Sequence, residues 1–203
     1  VIGIPYLNVF SNFRYYDACM QCLPGHDVVY ERYSLYSSGV AMACKRLNLP
    51  YVMFFDADQL MELDYLGKPI TGLLRQRAVG ILRYDLHVAD AVICVSEHSK
   101  ARLIDYWKVP AHKIVVFPNA VDIEKFKPSP MRRVEVRSSL GINSNPVILF
   151  VGNFYKWHDI GTLLNAFAEV LKIHSDARLI LVGDGPEREA MVQLTKDLGI
   201  SES

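Results

Sequence analysis

Short apolar runs alternate with helix-like patterns along most of the chain, and this alternation restricts the fold more than any other feature. The clearest run is YVMFF, from Tyr51 to Phe55, which carries no charge. Strands that are apolar on both faces are typical of a parallel sheet that helices cover on both sides. The alternation therefore predicts a layered α/β fold.

Four strands are predicted in the first part of the chain, at 27–32, 51–55, 91–95 and 113–117. Between them the apolar spacing predicts helices at 39–47 and 70–86, and a third that begins after Ser96 and ends near Trp107. Ser96 can cap this third helix because its hydroxyl can accept a hydrogen bond from the first unpaired N–H groups. Such a strand-helix rhythm indicates a Rossmann-like unit.

The composition changes at FKPSP, residues 126–130, where two prolines interrupt the rhythm. The following RRVEVR and GINSNP are typical of a linker with a short charged helix. The rhythm then restarts with strands at 147–151 and 177–182 and helices at 159–173 and 187–198. We predict an N-terminal domain over 1–127, a linker over 128–145 and a C-terminal domain over 146–203. Fewer than ~60 residues bury little surface, so we expect the C-terminal part to be the first half of a domain.

Composition excludes several classes of protein. The 22 basic and 22 acidic side chains balance, which gives no support for a nucleic-acid-binding protein. No uncharged apolar run approaches the ~18 residues of a membrane span, and residues 1–13 lack the basic start of a signal peptide. Cys19 and Cys22 form a single C-x-x-C without the second pair that a zinc site needs, so we interpret them as helix residues. Cys94 is predicted to be a buried strand residue, and the cytoplasm is the default location.

The segment from Gly152 to Asp159 is the first candidate site. Ligands of open parallel sheets bind beyond the carboxyl ends of the strands, and Gly152 stands at such an end. Asp159 can cap the following helix, whose N-terminus favours anions. Lys156 and His158 in the loop between them therefore indicate a phosphate site. The alternative is a solvated loop whose aromatic residues, Phe154 and Trp157, pack on the helix.

A second loop of this kind, VGDGPE, follows the next strand. Gly183 and Gly185 allow positive φ or a close approach of the backbone, and Pro186 suits the first turn of a helix. Two such loops on successive strands support a binding site more strongly than either loop alone.

These segments resemble a known family. FVGNFYKWHDIGTLLNAF and ARLILVGDGPEREAM are similar to the retaining glycosyltransferases of family 4, which have the GT-B fold of two Rossmann-like domains. ADAVICVSEHSKARL, HKIVVFPNAVDIEKFKP and DVVYERYSLYSSGVAMACKRLNLP resemble the same family, in the same order. The likeness covers nearly the whole chain from Asp27 onward.

The resemblance implies the transfer of a sugar from a nucleotide-sugar donor to an acceptor, with retention of configuration and without a metal or other cofactor. It implies a donor site in the C-terminal domain, built from Gly152, Asn153, Lys156, His158, Gly183 and Gly185. The family pattern has Arg and Lys where this chain has Asn153 and His158, and a second glycine where it has Asp159. These departures weaken the expected anion site, because an imidazole is largely neutral at pH 7 whereas Lys is charged.

The resemblance also places Asp56 and Glu62 where related sequences carry side chains that face the acceptor. That acceptor would be a glycan, a lipid-linked compound or a small molecule, without nucleic acid, and peripheral association with the inner face of a membrane is allowed. The family's glycine-rich loop is expected before Val1 and its Glu pair after Ser203. No catalytic residue is therefore assigned here, and the fragment alone is expected to be inactive.

Three features leave alternatives open. Asp56-Ala57-Asp58 follows an apolar strand, as do the metal-chelating carboxylates of GT-A glycosyltransferases. The departures at Asn153, His158 and Asp159 also fit a non-catalytic, nucleotide-binding homologue. Arg32 can face the cleft, but an ion pair with a neighbouring carboxylate is the commoner arrangement.

Overall fold

The computed structural model of the chain describes residues 5–142 and 144–203, with side chains from residue 12 onward. It divides into two compact units, one that ends at Ala120 and one that runs from Val121 to Ser203. The predicted domain and linker bounds differ slightly from this division and stay a prediction. None of the helices in the described ranges combines the length and apolar character that a membrane span needs.

The N-terminal unit contains four parallel strands with helices between them, which confirms the α/β prediction. The apolar pattern does not predict the helix Gln59–Tyr65. The elements in chain order are α1 (Pro5–Cys22), β1 (Val29–Arg32), α2 (Gly39–Leu47), β2 (Tyr51–Phe55), α3 (Gln59–Tyr65), α4 (Gly72–Val88), β3 (Ala91–Cys94), α5 (Glu97–Asp105) and β4 (Ile114–Val116).

Helices cover one face of this sheet, whereas the sequence predicts cover on both. The strands pair in the order β1-β2-β3-β4. Right-handed crossovers between strands added in one direction place every crossover helix on the same side. Tyr51, Met53 and Phe55 are therefore buried, while on the opposite face Tyr30 is 60% exposed and stacks on Phe54 with ring centroids 6.1 Å apart. Covering both faces would require a reversal of strand order, which the described strands do not contain.

The C-terminal unit repeats this arrangement on a smaller scale. Its elements are α6 (Pro130–Ser139), β5 (Val147–Val151), α7 (Ile160–Ile173), β6 (Arg178–Val182) and α8 (Arg188–Asp197). Strands β5 and β6 are parallel, and Leu164 and Phe167 of α7 are buried against one face of the pair. On the other face Leu149 is 59% exposed and Val151 is 69% exposed. Helix α6 is the short charged helix that the sequence predicts between the two series of alternating strands and helices.

The predictions for the cysteines are confirmed. Cys19 and Cys22 lie in helix α1, and Cys94 is fully buried on β3. Within the described part of the chain, no three His, Cys, Asp or Glu side chains are placed so that they could hold a metal ion.

One buried carboxyl in the N-terminal core has no partner. Asp85 of α4 is 1% exposed, and neither of its oxygens accepts a hydrogen bond. Burial, together with the smaller effect of the Glu31 charge, raises the pKa of Asp85 to about 8. Nearby, burial raises the pKa of Glu31 to about 6 even though the Tyr51 hydroxyl donates to it over 2.6 Å. Asp85 is therefore neutral in the folded protein at pH 7 and ionised in the unfolded chain.

This difference predicts how stability depends on pH. Between about pH 4 and pH 8 the folded state holds a proton on Asp85 that the unfolded state has lost, so the free energy of unfolding falls as pH rises. One linked proton changes the free energy of unfolding by up to about 1.4 kcal/mol per pH unit within that window. Asp85→Asn should remove this contribution. Urea unfolding of both proteins from pH 5 to pH 8 measures it. Parallel pH profiles for the two proteins would contradict the assignment.

Candidate functional site

The loops that follow β5 and β6 lie side by side at the carboxyl edge of the C-terminal sheet. Gly152 N–H donates to the Val182 carbonyl over 3.0 Å, and Phe154 N–H donates to the Asp184 carbonyl over 2.8 Å. Glu187 N–H returns a hydrogen bond to the Phe154 carbonyl over 3.0 Å. The structure therefore brings together the two loops that the sequence singles out.

Glycine is required in the second loop because the two backbones nearly touch. A Cβ atom on Gly183 would lie 1.8 Å from the Gly152 carbonyl oxygen, and one on Gly185 would lie 2.6 Å from the Phe154 carbonyl oxygen. Both residues also have positive φ, 153° and 159°, which side chains disfavour. The contacts of Gly183 and Gly185 thus hold one loop against the other. Gly152 is less restricted, since a Cβ there would first meet the Phe150 ring at 3.1 Å.

Residues Lys156–His158 form a single 3-10 turn that presents both side chains of the predicted phosphate site. Lys156 is exposed and has no hydrogen-bond or ion-pair partner within the described ranges. His158 is exposed too, but its ring is fixed, because Nδ1 donates to the carbonyl oxygen of Asn153. The ring also meets Phe150 edge to face, with centroids 5.9 Å apart. Asn153 thus contributes its backbone carbonyl to the arrangement of the site.

Asp159 caps helix α7, as the sequence predicts. Its carboxylate accepts from Thr162 N–H over 3.4 Å and from Thr162 Oγ1 over 2.7 Å. Its backbone is left-handed, with φ 46° and ψ 48°, a conformation that Asp tolerates better than most residues. This conformation explains why glycine suits the position in the pattern that the sequence resembles. The carboxylate also offsets the positive end of the helix, so an anion here depends on Lys156, His158 and the loop amides.

The two aromatic residues of this loop behave differently. Phe154 is 5% exposed and packs in the C-terminal core. Trp157 is 39% exposed and stacks on Tyr155, with ring centroids 4.5 Å apart and an angle of 16° between the planes. The alternative prediction, that both rings pack on the helix, therefore describes Phe154 alone.

The N-terminal unit gathers Arg32, Asp56 and Glu62 near the carboxyl ends of β1 and β2. Arg32 Nε donates to Asp56 Oδ2 over 2.8 Å, and a second guanidinium nitrogen contacts the same oxygen. This confirms the predicted ion pair. Burial raises the pKa of Glu62, as do the charges of Asp56 and Asp58, and the Arg32 charge acts in the opposite direction. The two predicted acceptor-side carboxylates are thus close enough to influence one another.

A cavity of about 400 Å³ lies beside Arg32. Its lining includes the hydroxyl-bearing residues Tyr15, Ser34 and Ser37, together with the partly buried Glu31. Such a lining can donate and accept hydrogen bonds to a ligand that carries hydroxyl groups. Sequence reasoning missed this cavity, because its walls come from α1, β1 and the loop before α2.

Asp58 is committed to the protein itself, so the structure does not favour a metal held by Asp56-Ala57-Asp58. Its Oδ1 accepts from Met61 N–H over 3.2 Å and thereby caps α3. Its Oδ2 accepts from Arg102 Nε over 2.7 Å and from Trp107 Nε1 over 3.1 Å. The side chain is 2% exposed. The position of Asp58 just before the helix QLMELDY is the sequence signal for this capping role.

Comparisons with known proteins agree with this geometry. A family model described as Glycosyltransferase Family 4 matches residues 4–125, and one described as Glycosyl transferases group 1 matches residues 133–203. The chain belongs to glycosyltransferase family 4. The resemblance seen in the sequence is therefore confirmed.

Two curated members of the family show the degree of similarity. Alpha-monoglucosyldiacylglycerol synthase of Streptococcus pneumoniae is 31% identical over 84% of this chain and 39% of its own length. The GDP-mannose-dependent alpha-(1-6)-phosphatidylinositol monomannoside mannosyltransferase of Mycolicibacterium smegmatis is 28% identical over 56% of this chain and 30% of its own length. The chain thus spans well under half of these family 4 relatives.

Solved structures show the fold. HepE of Anabaena, solved in complex with UDP, matches with a TM-score of 0.72 and 20% identity over 92% of this chain and 49% of that one. Sucrose-phosphate synthase from Thermosynechococcus elongatus matches with a TM-score of 0.66 and 18% identity, over 96% of this chain and 48% of its own. This family 4 chain therefore has the GT-B type of architecture, which confirms the predicted fold class.

The contact between the loops predicts the effect of a single methyl group. Gly183→Ala places a Cβ against the Gly152 carbonyl and should destabilise the C-terminal unit by about 2 kcal/mol or more. Gly161→Ala is the matched control, because it lies in α7 and its Cβ would meet nothing closer than a Leu194 methyl at 3.8 Å. The control should be neutral or stabilising, by up to ~1 kcal/mol. Urea unfolding measures both, and equal stability of the two variants would contradict the close approach.

The Asp58 network predicts a second loss of stability. Arg102→Ala leaves a buried carboxylate without its cation and should cost about 3 kcal/mol of unfolding free energy. Arg75→Ala breaks the exposed pair with Asp64 and should cost much less, because solvent screens that pair. Thermal and urea unfolding compare the two, and a larger loss for Arg75→Ala would contradict the network.

Proposed function

We propose that this protein is a glycosyltransferase that moves a sugar from a nucleotide-sugar donor to an acceptor, with retention of configuration. The single observation that supports this most is the pairing of the Gly152 and Gly183 loops at the carboxyl edge of a family 4 C-terminal sheet. The mycolicibacterial relative is named as GDP-mannose-dependent, and HepE was solved with UDP. A nucleoside diphosphate is therefore the leaving group that we assign to this site.

The donor diphosphate lies, in this proposal, against the corner formed by Gly152, Asn153, Lys156 and His158. Lys156 is an exposed cation without a partner in the described ranges, and it stands in the same turn as His158. Fixed donors and cations that face a leaving phosphate stabilise the charge that develops on it in the transition state. Gly183 and Gly185 support the corner by allowing the second loop to pack against the first. No metal or other cofactor takes part.

The acceptor lies, in this proposal, in the N-terminal unit near Asp56 and Glu62. The cavity beside Arg32, lined by hydroxyl groups, supports an acceptor that carries hydroxyls, such as a glycan, a glycolipid or a small polyol. Two relatives are named for diacylglycerol or phosphatidylinositol compounds, which supports peripheral association of this protein with the inner face of a membrane. Nucleic acid is not a partner in this scheme, and the reaction takes place in the cytoplasm.

A panel of UDP-, GDP- and ADP-sugars, applied to the full-length protein in the presence of EDTA, tests this function. One nucleotide class should raise the melting temperature, because a ligand that binds only the folded state stabilises it. The sugar of the same donor should be transferred to an acceptor with retention of its anomeric configuration. NMR of the product measures this configuration. Binding without turnover would favour a non-catalytic homologue, and a requirement for added metal would contradict a metal-free mechanism.

His158→Ala tests the location of the phosphates. This substitution should weaken binding of the nucleoside diphosphate by about tenfold, equal to about 1.4 kcal/mol, while binding of the matching nucleoside changes little. Lys156→Ala should act in the same direction. Calorimetric titration with both ligands measures the difference, and an equal loss for nucleoside and nucleoside diphosphate would place His158 away from the phosphates.

A further inference from the structure

We infer that binding of a nucleoside diphosphate at the Gly152 loop is coupled to the uptake of a proton by His158. This inference rests on the proposed function and adds a pH dependence to the donor site. The proton is added at Nε2 and comes from the solvent. Donor affinity therefore increases as pH falls.

The hydrogen bond of His158 fixes which ring nitrogen carries the proton before ligand binds. A backbone carbonyl can only accept, so Nδ1, which contacts the Asn153 carbonyl oxygen, must be the donor. In the neutral ring the other nitrogen, Nε2, then carries a lone pair. A lone pair facing a phosphate oxygen is repulsive, whereas a protonated Nε2 can donate a charge-assisted hydrogen bond to it.

The position of the ring brings the edge that carries Cε1 to the site. Cε1, which joins Nδ1 to Nε2, lies 3.8 Å from where a Cβ on Gly152 would stand. The edge of the imidazole thus faces the end of β5, where a ligand of a parallel sheet binds. Phe150 and Trp157 both meet the ring edge to face, at centroid distances of 5.9 Å and 6.0 Å. A ring held by two aromatic neighbours and one hydrogen bond cannot easily turn to offer Nδ1 instead.

The charged groups around the ring leave it without an anionic partner in the described ranges. Lys156, which stands in the same turn, is itself a cation. The carboxylate of Asp159 is engaged by Thr162, and that of Asp184 accepts from Gly185 N–H and lies 3.9 Å from Arg188 Nε. Within the described ranges no carboxylate accepts from His158. The negative charge that retains the added proton is therefore supplied by the diphosphate itself.

Isothermal titration calorimetry of the full-length protein tests the coupling directly. UDP, GDP and ADP are titrated at pH 7.5 in Pipes, Hepes and Tris, whose different heats of ionisation reveal how many protons are taken up. The wild-type protein should take up more protons than either His158→Gln, which stays neutral, or His158→Lys, which is always charged. Comparison with these variants removes the contribution of the ligand's own terminal phosphate, because the ligand is the same in each titration.

The affinities measured at pH 6 and pH 8 provide the second readout. Between these values wild-type binding should weaken by about tenfold more than binding to H158K, since one linked proton changes affinity by at most tenfold per pH unit. Equal proton uptake in the wild-type protein and both variants would overturn the inference and leave the proposed function standing. A wild-type protein that binds none of the three nucleotides would overturn both. Melting curves of the variants confirm that each is folded before titration.

Discussion

The contact between the backbones of Gly152 and Gly183 is the constraint on which the candidate donor site depends. At 1.8 Å from a hypothetical Cβ, the Gly152 carbonyl leaves no space for any side chain at residue 183. Because the loops touch, the β6 loop supports the β5 loop from one side, and Phe154 anchors it to the core from the other. Lys156 and His158 then project from a turn whose ends are both fixed. Preorganisation of this kind is what electrostatic stabilisation of a leaving group requires.

In the N-terminal unit, Asp58 has the comparable role of fixing a loop that carries functional candidates. It caps α3 and binds Arg102 and Trp107. The segment from Asp56 to Glu62 is therefore fixed at a buried residue whose carboxylate is fully paired. A carboxylate that already accepts from three donors is poorly suited to chelating a cation. The exposed Arg32 neutralises Asp56 in turn.

Much of the fold could be predicted from the sequence, because buried parallel strands consist of apolar runs such as Tyr51 to Phe55. The cover of the sheet on one face could not, since strand order is a long-range property that no local pattern records. Helix α3 was missed because its seven residues are too short to show a clear period. In the candidate donor corner, the sequence singles out Gly152, Lys156 and His158 by their position after a strand. The hydrogen bond from His158 to Asn153 cannot be predicted in this way, because it closes a loop whose 3-10 turn, Lys156–His158, no sequence pattern indicates.

The uncovered sheet faces also have a consequence for handling this polypeptide. Tyr30 in one unit, and Leu149 and Val151 in the other, leave apolar surface exposed on otherwise well-packed layers. Contiguous apolar surface of this kind promotes contacts between molecules. The 203 residues, produced by themselves, should therefore self-associate as their concentration rises, and dilute solutions will give the better-behaved sample.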